Sequence, residues 1–429
     1  MNIIDRGRAF LDELRGVSAR TAWDWRRCPR CGQTDTWRHG TYRRHPWTLS
    51  GRQVVVVQRH WCCRCRRTYS EQSARLVQGS WYARELHRCA IDLCQHGGTS
   101  LRRTAEWLRS LVGRQERWRL WRPLDPTPPE AVRCHLSAST LQRWLDRAGQ
   151  QAQASVPGQL AGLATSGQFG TDGLWAKLAG GVTRVVLLLT DSVTGVVFPP
   201  VVVAGEREAA DWAPLFDRAA AAGLDPDTVR GVTSDGAPGL AAYLDRGWTW
   251  VNHQRCHFHL WRNLAGDFAQ AAQTAATGLG GAAATAVRRA TRRAVVGLVR
   301  AVLDARDATA AQAALVVLAA HPLGAALATA LAGVLDAALV HTLAYHDGLV
   351  RVGPEWCWRD FRLRLSRGRN HRTETRLERA ALVWATYRNF EPAQVRSERK
   401  RHYRRPGRSP LALAGVPPGD ISYLDALAV

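Results

Sequence analysis

The sequence has no apolar stretch suited to crossing a membrane. Its most apolar run, 323–340, is dominated by Ala and interrupted by Asp336. Alanine is only weakly apolar, and an Asp within a span costs about 2.5 to 3.5 kcal/mol on insertion scales. The run therefore predicts a buried helix. We expect a soluble protein without a membrane partner.

We expect no signal peptide, and the cysteines do not follow the regular spacing of a disulfide framework. Of the 10 cysteines, four are scattered singly along the chain: Cys89, Cys94, Cys134 and Cys357. Such a scatter is typical of a reducing compartment. We expect a cytoplasmic protein.

Lysine is nearly missing, and almost every basic residue is Arg. Acidic residues are fewer than basic residues. The chain has 59 Lys and Arg against 36 Asp and Glu, a net charge of +23. This excess indicates a polyanion such as DNA as partner. Because an Arg bias also reflects GC-rich coding DNA, the position of the clusters is more informative. One cluster, 395–408, contains Arg404 and Arg405; a solvated basic tail is the alternative for it.

Two Cys-x-x-Cys pairs mark the N-terminal region. Cys28 and Cys31 form the first, and Cys62 and Cys65 the second. Thiolates at this spacing suit tetrahedral Zn²⁺, and strands predicted over 41–49 and 53–61 complete a zinc ribbon in residues 1–80. A disulfide pair or buried free thiols are the alternatives, and Cys63 is spare. Three basic residues of the ribbon are expected to contact phosphates: Arg64, Arg66 and Arg67.

Residues 81–150 have a helical pattern. Amphipathic helices are predicted over 100–109 and 139–147, the second carrying Arg143 as a DNA contact. They favour a DNA-binding module of the helix-turn-helix type. The connection, rich in Pro, is longer than the usual turn, so a plain helical linker domain is the alternative. A linker is expected at 151–166, because 150–158 is rich in Gln, Ala and Ser.

Two Asp residues lie in or directly after the strands of a predicted α/β core. Asp172 comes early in an apolar segment followed by strands over 182–190 and 196–204. A helix over 209–222 and a fourth strand over 228–233 follow, and Asp235 comes just after that strand. Three strands, a helix and a parallel strand suggest a ribonuclease H-like fold in which the fourth strand lies beside the first. Asp172 and Asp235 would then approach each other and share metal ions, although each taken alone fits a turn residue.

A third acid is expected on a later helix. Glu374 and Glu378 lie four residues apart, hence on one helix face, and Glu378 is the preferred candidate. The alternative is a solvated face on which both pair with neighbouring arginines. Asp191, in Thr190-Asp-Ser-Val-Thr-Gly195, is assigned to a hairpin turn instead, where Asp is an ordinary turn former.

These acids, together with Cys256-x-x-His259 and the Arg-Asn pair after it, resemble the DDE transposases of Mutator-like elements and their bacterial insertion-sequence relatives. The resemblance covers roughly 167–415. It implies a ribonuclease H-like catalytic core interrupted by an all-helical segment, here about 264–350, which is Ala-rich with helical spacing. Residues 416–429 form a C-terminal tail.

By this resemblance, Asp172, Asp235 and Glu378 form the catalytic triad that binds Mg²⁺ or Mn²⁺. Thr373-Glu374-Thr375 departs from the Asn residues usual in the family, which keeps Glu374 as an alternative. Cys256 and His259 offer only two ligands, whereas a structural zinc site needs four, so a structural or DNA-positioning role is favoured.

The resemblance implies a transposase that binds terminal inverted repeats through its N-terminal 150 residues, cleaves DNA and joins the 3′ ends to target DNA. Two active sites acting on two ends imply a homodimer or larger assembly. Two alternatives stay open: a ribonuclease H-like nuclease or resolvase, and a non-catalytic DNA-binding protein descended from a transposase.

Overall fold

The chain is a mixed α/β protein with two compact units. The computed structural model describes residues 26–71, 75–120, 134–343, 359–362, 364, 371–392 and 407–428. Unit 1 comprises Met1–Gln151, Leu363–Arg369 and Leu424–Val429, and unit 2 comprises Ala152–Arg362 and Asn370–Tyr423.

Unit 1 begins with a small antiparallel sheet. Strands β1 (Thr36–Arg44), β4 (Val55–Cys62) and β5 (Arg67–Ser70) lie in the order β1-β4-β5. The predicted hairpin is present, but its main strands lie farther from the turn than expected. The intervening residues form a second, two-residue pair instead, β2 (Trp47–Thr48) with β3 (Gly51–Arg52).

Three helices follow the sheet: α1 (Arg84–Gln95), α2 (Leu101–Leu120) and α3 (Ala138–Gln159). The helices predicted from amphipathic spacing fall within α2 and α3, whereas α1 was not predicted. All three contribute to one apolar core, which includes Leu86, Leu108, Leu141 and Trp144. The Pro-rich connection between α2 and α3 lies outside the described residues, so the helix-turn-helix module stays a prediction.

The segment expected to be a linker, 151–166, is helical as far as Gln159. Its Gln and Ala residues are good helix formers, and they extend α3 even through Pro157. The division between the two units falls inside this helix, between Gln151 and Ala152.

Unit 2 is built on a five-stranded sheet. Its strands are β6 (Gln168–Lys177), β7 (Thr183–Asp191), β8 (Val201–Val203), β9 (Gly231–Ser234) and β10 (Asn252–Arg255). The order is β10-β9-β6-β7-β8, with β6, β7 and β8 antiparallel in turn and β9 parallel to both β6 and β10. Strand β8 is shorter than predicted because Pro199 and Pro200 precede it and cannot donate to a ladder.

Helices α4 (Ala209–Ala221) and α5 (Pro238–Gly247) supply the apolar layer that covers this sheet. Buried residues of β7, including Val185 and Leu187, share a core with Trp212 of α4 and Leu240 of α5. The predicted helix over 209–222 is therefore present, and it is the element that buries one face of the sheet.

An all-helical segment follows β10. It consists of α6 (His257–Asn263), α7 (Ala265–Ala275), α8 (Gly281–Leu303), α9 (Ala308–Ala320), α10 (Ala325–Ala332) and α11 (Leu335–Leu343). These helices enclose their own core, which includes Phe268, Val299 and Leu331. The apolar run 323–340 is divided between α10 and α11. Within the described ranges, no helix is long and apolar enough to cross a membrane.

Three further helices are α12 (Glu374–Phe390), α13 (Pro410–Leu413) and α14 (Tyr423–Ala426). Helix α12 packs on β7 and β8. Its C-terminal end is fixed by Asn389, whose side chain accepts a hydrogen bond from the Val197 N–H and donates one to the Val197 carbonyl, both at 2.8 Å. This helix carries both candidates for the third acid.

Candidate active site and cysteine cluster

The pairing of β9 with β6 brings Asp235 near Asp172. The parallel ladder between these two strands ends at Gly170 and Thr233. Asp172 lies two residues farther along β6, and Asp235 lies one residue beyond Ser234, the last residue of β9. Since side chains alternate between faces along a strand, Asp172 leaves the sheet on the face of Gly170.

Asp172 is a buried carboxylate in the middle of a strand. It is only 4% exposed, and its Oδ1 accepts a hydrogen bond of 2.9 Å from the Gly173 N–H. Burying a carboxylate is costly unless positive charge or hydrogen bonds compensate. The position is therefore different from the strand-end turn that was the alternative explanation for this residue.

Asp235 lies in the turn between β9 and α5. Its Oδ1 accepts a hydrogen bond of 3.0 Å from the Ala237 N–H. The next residue, Gly236, has φ +85°, and a Cβ there would overlap the guanidinium of Arg255. This backbone geometry brings a cationic side chain from the end of β10 next to Asp235.

Glu206 is a further acid in this region, and the sequence analysis missed it. Its Oε1 accepts a 2.8 Å hydrogen bond from Trp175 Nε1, and a Cβ on Gly173 would overlap its Oε2. Burial raises the pKa of Glu206; the Trp175 hydrogen bond opposes this rise and the negative charge of Asp235 adds to it. The strand order could have predicted this position of Glu206. Both β8 and β9 run in the direction of β6, so a residue just after β8 lies at the same sheet edge as one just after β9.

Glu374 and Glu378 are both engaged in ion pairs. Glu378 accepts a hydrogen bond from Arg218 of α4, which also donates to the Pro200 carbonyl at 2.9 Å. Glu374 accepts one from Arg184 at the start of β7. Ion pairing was the alternative explanation for these acids, but the partners come from distant elements and not from neighbouring turns of the helix.

Among the described residues, Asp172, Asp235 and Glu378 do not form a group whose ligand atoms all lie within 4.8 Å of one another. The structure thus brings Asp235 near Asp172 through the pairing of β9 with β6, and it leaves Glu378 with Arg218. The assignment of these three acids as a catalytic triad stays a prediction.

Asp191 has the structural role expected of it. It is fully buried at the end of β7, and its carboxylate accepts hydrogen bonds from the backbone N–H groups of Ser166, Val193 and Thr194 at 2.7 to 2.9 Å. The bonds from Val193 and Thr194 fix the hairpin turn, and the bond from Ser166 ties this turn to the segment before β6. These bonds account for a buried acid without any catalytic role.

The Cys256-x-x-His259 signature packs against the helical segment. Cys256 precedes α6, and both Cys256 and His259 are buried. His257, between them, is hydrogen-bonded through Nε2 to the Ala338 carbonyl of α11 at 2.7 Å, and Gln254 Nε2 donates to the same oxygen at 3.1 Å. His257 and Gln254 thus join the end of β10 and the start of α6 to α11. The structural or DNA-positioning role of Cys256 and His259 stays a prediction.

The four cysteines of the predicted ribbon form a cluster in unit 1. Their sulfur atoms all lie within 4.8 Å of one another, with Cys28 to Cys65 at 3.7 Å and Cys31 to Cys62 at 3.5 Å. Tetrahedral zinc with Zn–S bonds of about 2.3 Å separates its sulfurs by about 3.8 Å. All four thiols are free. The cluster therefore has the ligand type, number and spacing to hold Zn²⁺.

Electrostatics favour a thiolate at one of these positions. Burial acts to raise the pKa of Cys28, but hydrogen bonds from the Arg30 and Cys31 backbone outweigh it and lower the pKa to about 7. Burial raises the pKa of Cys63, which stands outside the cluster as predicted.

The basic residues predicted to contact DNA are exposed where they are described. Arg64, Arg66 and Arg67 lie on the surface near the cysteine cluster, and Arg143 lies on the surface of α3. Arg404 and Arg405 lie outside the described residues, as does most of the basic cluster 395–408.

Comparison with known families gives one match. Residues 200–351 match the sequence profile of the family described as "Transposase, Mutator family". The matched range runs from the residue before β8 through Glu206, Asp235, the Cys256-x-x-His259 signature and the helical segment. No curated protein matches the chain.

Proposed function

Residues 200–351 match the Mutator family of transposases, and from this match we propose that the chain is a transposase that cleaves DNA at the ends of a mobile element and joins the 3′ ends to target DNA. The catalytic acids are Asp172, Asp235 and Glu378. The observation that carries the proposal is the parallel pairing of β9 with β6, which brings Asp235, one residue past the end of β9, near the buried Asp172 of β6. The strand order of unit 2 supports a ribonuclease H-like catalytic core.

The donor chemistry of this site fits Mg²⁺ or Mn²⁺. Both ions prefer hard oxygen ligands, and Asp172 of β6 and Asp235 after the neighbouring strand β9 both offer carboxylate oxygens. When bound, such ions would activate a water or a 3′ hydroxyl and neutralise charge on the attacking and leaving oxygens.

The chain's own residues have defined tasks in this reaction. The hydrogen bonds from Gly173 and Ala237 each engage one carboxylate oxygen, Oδ1, of Asp172 and Asp235, which orients the two groups. Glu378 has to exchange Arg218 for the metal centre if it completes the coordination, because its carboxylate is paired in this structure.

DNA recognition is assigned to the N-terminal region. The ribbon in residues 1–80 would hold Zn²⁺ through Cys28, Cys31, Cys62 and Cys65, and the helical region 81–150 would bind the terminal inverted repeats. Exposed arginines of both regions support contact with phosphates. Residues 167–415 form the catalytic core, and the protein acts as a homodimer or larger assembly because two element ends must be processed.

The test is magnesium-dependent cleavage and strand transfer on DNA that carries the flanks of the gene itself. Asp172→Asn and Asp235→Asn are expected to abolish both activities while DNA binding is retained. Asp227→Asn is the matched control, because Asp227 is exposed and lies away from the two aspartates.

The outcomes separate the alternatives. Cleavage without joined products would identify a nuclease or resolvase. DNA binding without any cleavage by the wild-type protein would identify a non-catalytic binding protein. Full activity of both Asp variants would refute the carboxylate mechanism.

A further inference from the structure

We propose that α8 of the helical segment binds the phosphate backbone of target DNA through a line of exposed arginines, without reading its sequence. This inference rests on the proposed function, because a target is needed only for the joining step. It adds a DNA-binding surface in unit 2, distinct from the arginines of unit 1 and from the basic cluster 395–408.

The first line of support is the charge of α8. Residues 268–303, which include all of this helix, contain five Arg and neither Asp nor Glu. A GC-rich coding sequence explains Arg in place of Lys, but it does not explain this lack of acids, since all 36 acids of the chain lie elsewhere. The five arginines are exposed: Arg288, Arg289, Arg292, Arg293 and Arg300.

The second line of support is that these charges are not balanced within the protein. Among the described residues, none of the five arginines forms an ion pair. Arg288 and Arg292 lie four residues apart, as do Arg289 and Arg293, so like charges stand on adjacent turns. Such pairs lower the stability of a helix. A solvated helix face usually mixes acids with bases, whereas on α8 an external anion has to offset the repulsion.

The third line of support is the geometry of the helix. Helical spacing places Arg289, Arg293 and Arg300 within about 40° of one another around the helix axis, along about 16 Å of its length. Val295 and Val299 pack in the core of the helical segment, so the arginine line and the core occupy different sides of α8. DNA carries one phosphate charge per about 1.7 Å of its axis, and a duplex lying along α8 therefore offers several phosphates to this line.

A glycine lies beside the same line. Gly297 stands between Arg293 and Arg300, and a Cβ there would have nothing within 4 Å. Packing therefore does not require this glycine, although glycine in a helix interior is less favourable than alanine. The missing side chain lets a phosphate backbone approach the helix closely between the two arginines.

The composition of this surface favours target DNA over the element ends. Apart from the arginines, residues 288–300 are Ala, Val, Leu, Gly and one Thr. Asn and Gln, which read adenine in the major groove, are absent from this stretch. Phosphate contacts position a protein on DNA but carry no sequence information. Element ends have to be distinguished from other DNA, whereas a target only has to be held, so a surface of this kind suits the target.

The helical segment is attached to the sheet that carries the two aspartates. Helix α11 packs on β10, the strand next to β9, and its Ala338 carbonyl accepts a hydrogen bond of 3.1 Å from Gln254 of β10. Ala338 also shares a core with Val299 of α8. DNA bound along α8 is therefore held by the unit that contains the catalytic centre.

The proposal is tested with Arg289→Gln/Arg293→Gln, by fluorescence anisotropy on a labelled duplex that lacks the element's repeats. We expect the slope of log K against log salt concentration to fall by about 1.8, since each phosphate contact contributes about 0.9. Arg289→Lys/Arg293→Lys keeps both charges and should restore the slope. Arg230→Gln/Arg246→Gln, at exposed positions outside the helical segment, is the matched control and should change the slope less.

Strand transfer separates target binding from the chemistry. With precleaved element ends and a limiting plasmid target, Arg289→Gln/Arg293→Gln should join about 10-fold less DNA, and excess target should restore joining. Cleavage at the element ends should be unchanged. Equal loss of cleavage and joining would assign α8 to the element ends and overturn the choice of target DNA. Thermal unfolding at the same or a higher temperature than in the wild type, expected because a repulsion is removed, excludes a folding defect.

The outcomes distinguish failure of this inference from failure of the proposed function. An unchanged slope, or an equal decrease in Arg230→Gln/Arg246→Gln, would make α8 a solvated face and leave the proposed function standing. A wild-type protein that joined no DNA would overturn the proposed function, and the target with it, even if the slope fell as expected.

Discussion

At the scale of single residues, the third acid is where sequence and structure differ most. Helical spacing identifies Glu374 and Glu378 as one pair on one face, but it cannot state what each carboxylate contacts. The structure pairs Glu378 with Arg218 and Glu374 with Arg184. Both arginines lie more than 150 residues earlier in the chain, so no local pattern contains this information.

Glu378→Gln is expected to lower DNA cleavage at least about 100-fold, because the loss of a catalytic carboxylate removes a metal ligand. The free energy of unfolding should change by no more than about 1 kcal/mol, since the ion pair with Arg218 is partly solvated. Cleavage kinetics and urea unfolding on the same preparations check both values.

Two further variants control for the ion pair. Glu374→Gln should retain most activity if Glu378 is the third acid, because it loses a comparable surface pair. Arg218→Ala should leave cleavage far less affected than Glu378→Gln does. Equal loss of activity in Arg218→Ala and Glu378→Gln would mean that the ion pair, and not catalysis, explains Glu378.

At the scale of secondary-structure elements, the ribbon shows how short spacing fixes a site. Each Cys-x-x-Cys pair sits at a turn, and antiparallel pairing of β1 with β4 brings the two turns together, with Thr36 opposite Cys62. The four sulfurs converge as a consequence. The sheet is small, and outward-facing residues such as Trp37 and Val56 are about 60% exposed, so its own apolar core is limited.

Cys28→Ser is therefore expected to abolish zinc binding and unfold the ribbon, because a small sheet with a limited core depends on the metal for stability. Wild-type protein should contain about one zinc ion per chain by atomic absorption. Acidification should release the metal, since protons compete for the thiolates.

Cys63→Ser is the matched control for this prediction, because Cys63 neighbours the cluster without belonging to it. It should keep its zinc and its fold, as judged by metal content and circular dichroism. Zinc-free wild-type protein with an intact ribbon would contradict the prediction.

At the scale of the whole molecule, charge is the dominant property. A net charge of +23 attracts DNA without specifying where it binds. The exposed arginines of the ribbon and of α3 offer one set of phosphate contacts, and the basic cluster 395–408 is predicted to offer another.

Replacing Arg404 and Arg405 with Gln should reduce the dependence of DNA affinity on salt. If both contact phosphates, the slope of log K against log salt concentration falls by about 1.8, since each phosphate contact contributes about 0.9. Fluorescence anisotropy between low and physiological salt measures the slope.

The double variant Arg230→Gln/Arg246→Gln loses the same total charge at exposed positions elsewhere. An equal decrease in slope for both double variants would show a general charge effect and no local contact by the basic cluster. An unchanged slope for Arg404 and Arg405 would assign the cluster to a solvated tail.

The sequence by itself determined the chemistry of the ligands and their order along the chain. Cysteine spacing predicted the thiol cluster, because two ligands three positions apart in a turn converge locally, and the predicted hairpin brings the two turns together. The sequence order of strand, helix and strand placed β9 after α4 and Asp235 directly after β9. The match of residues 200–351 to the Mutator family of transposases confirms the resemblance that the acids and the Cys256-x-x-His259 signature indicated.

Only the tertiary structure decided which side chains meet across long sequence separations. The contact of Glu206 with Trp175 depends on the approach of the loop after β8 to a strand some thirty residues earlier. The pairing of Glu378 with Arg218 depends on α12 and α4 lying close enough for the two side chains to reach each other. Periodicity reports the environment of one element, whereas these contacts arise from the packing of several elements at once.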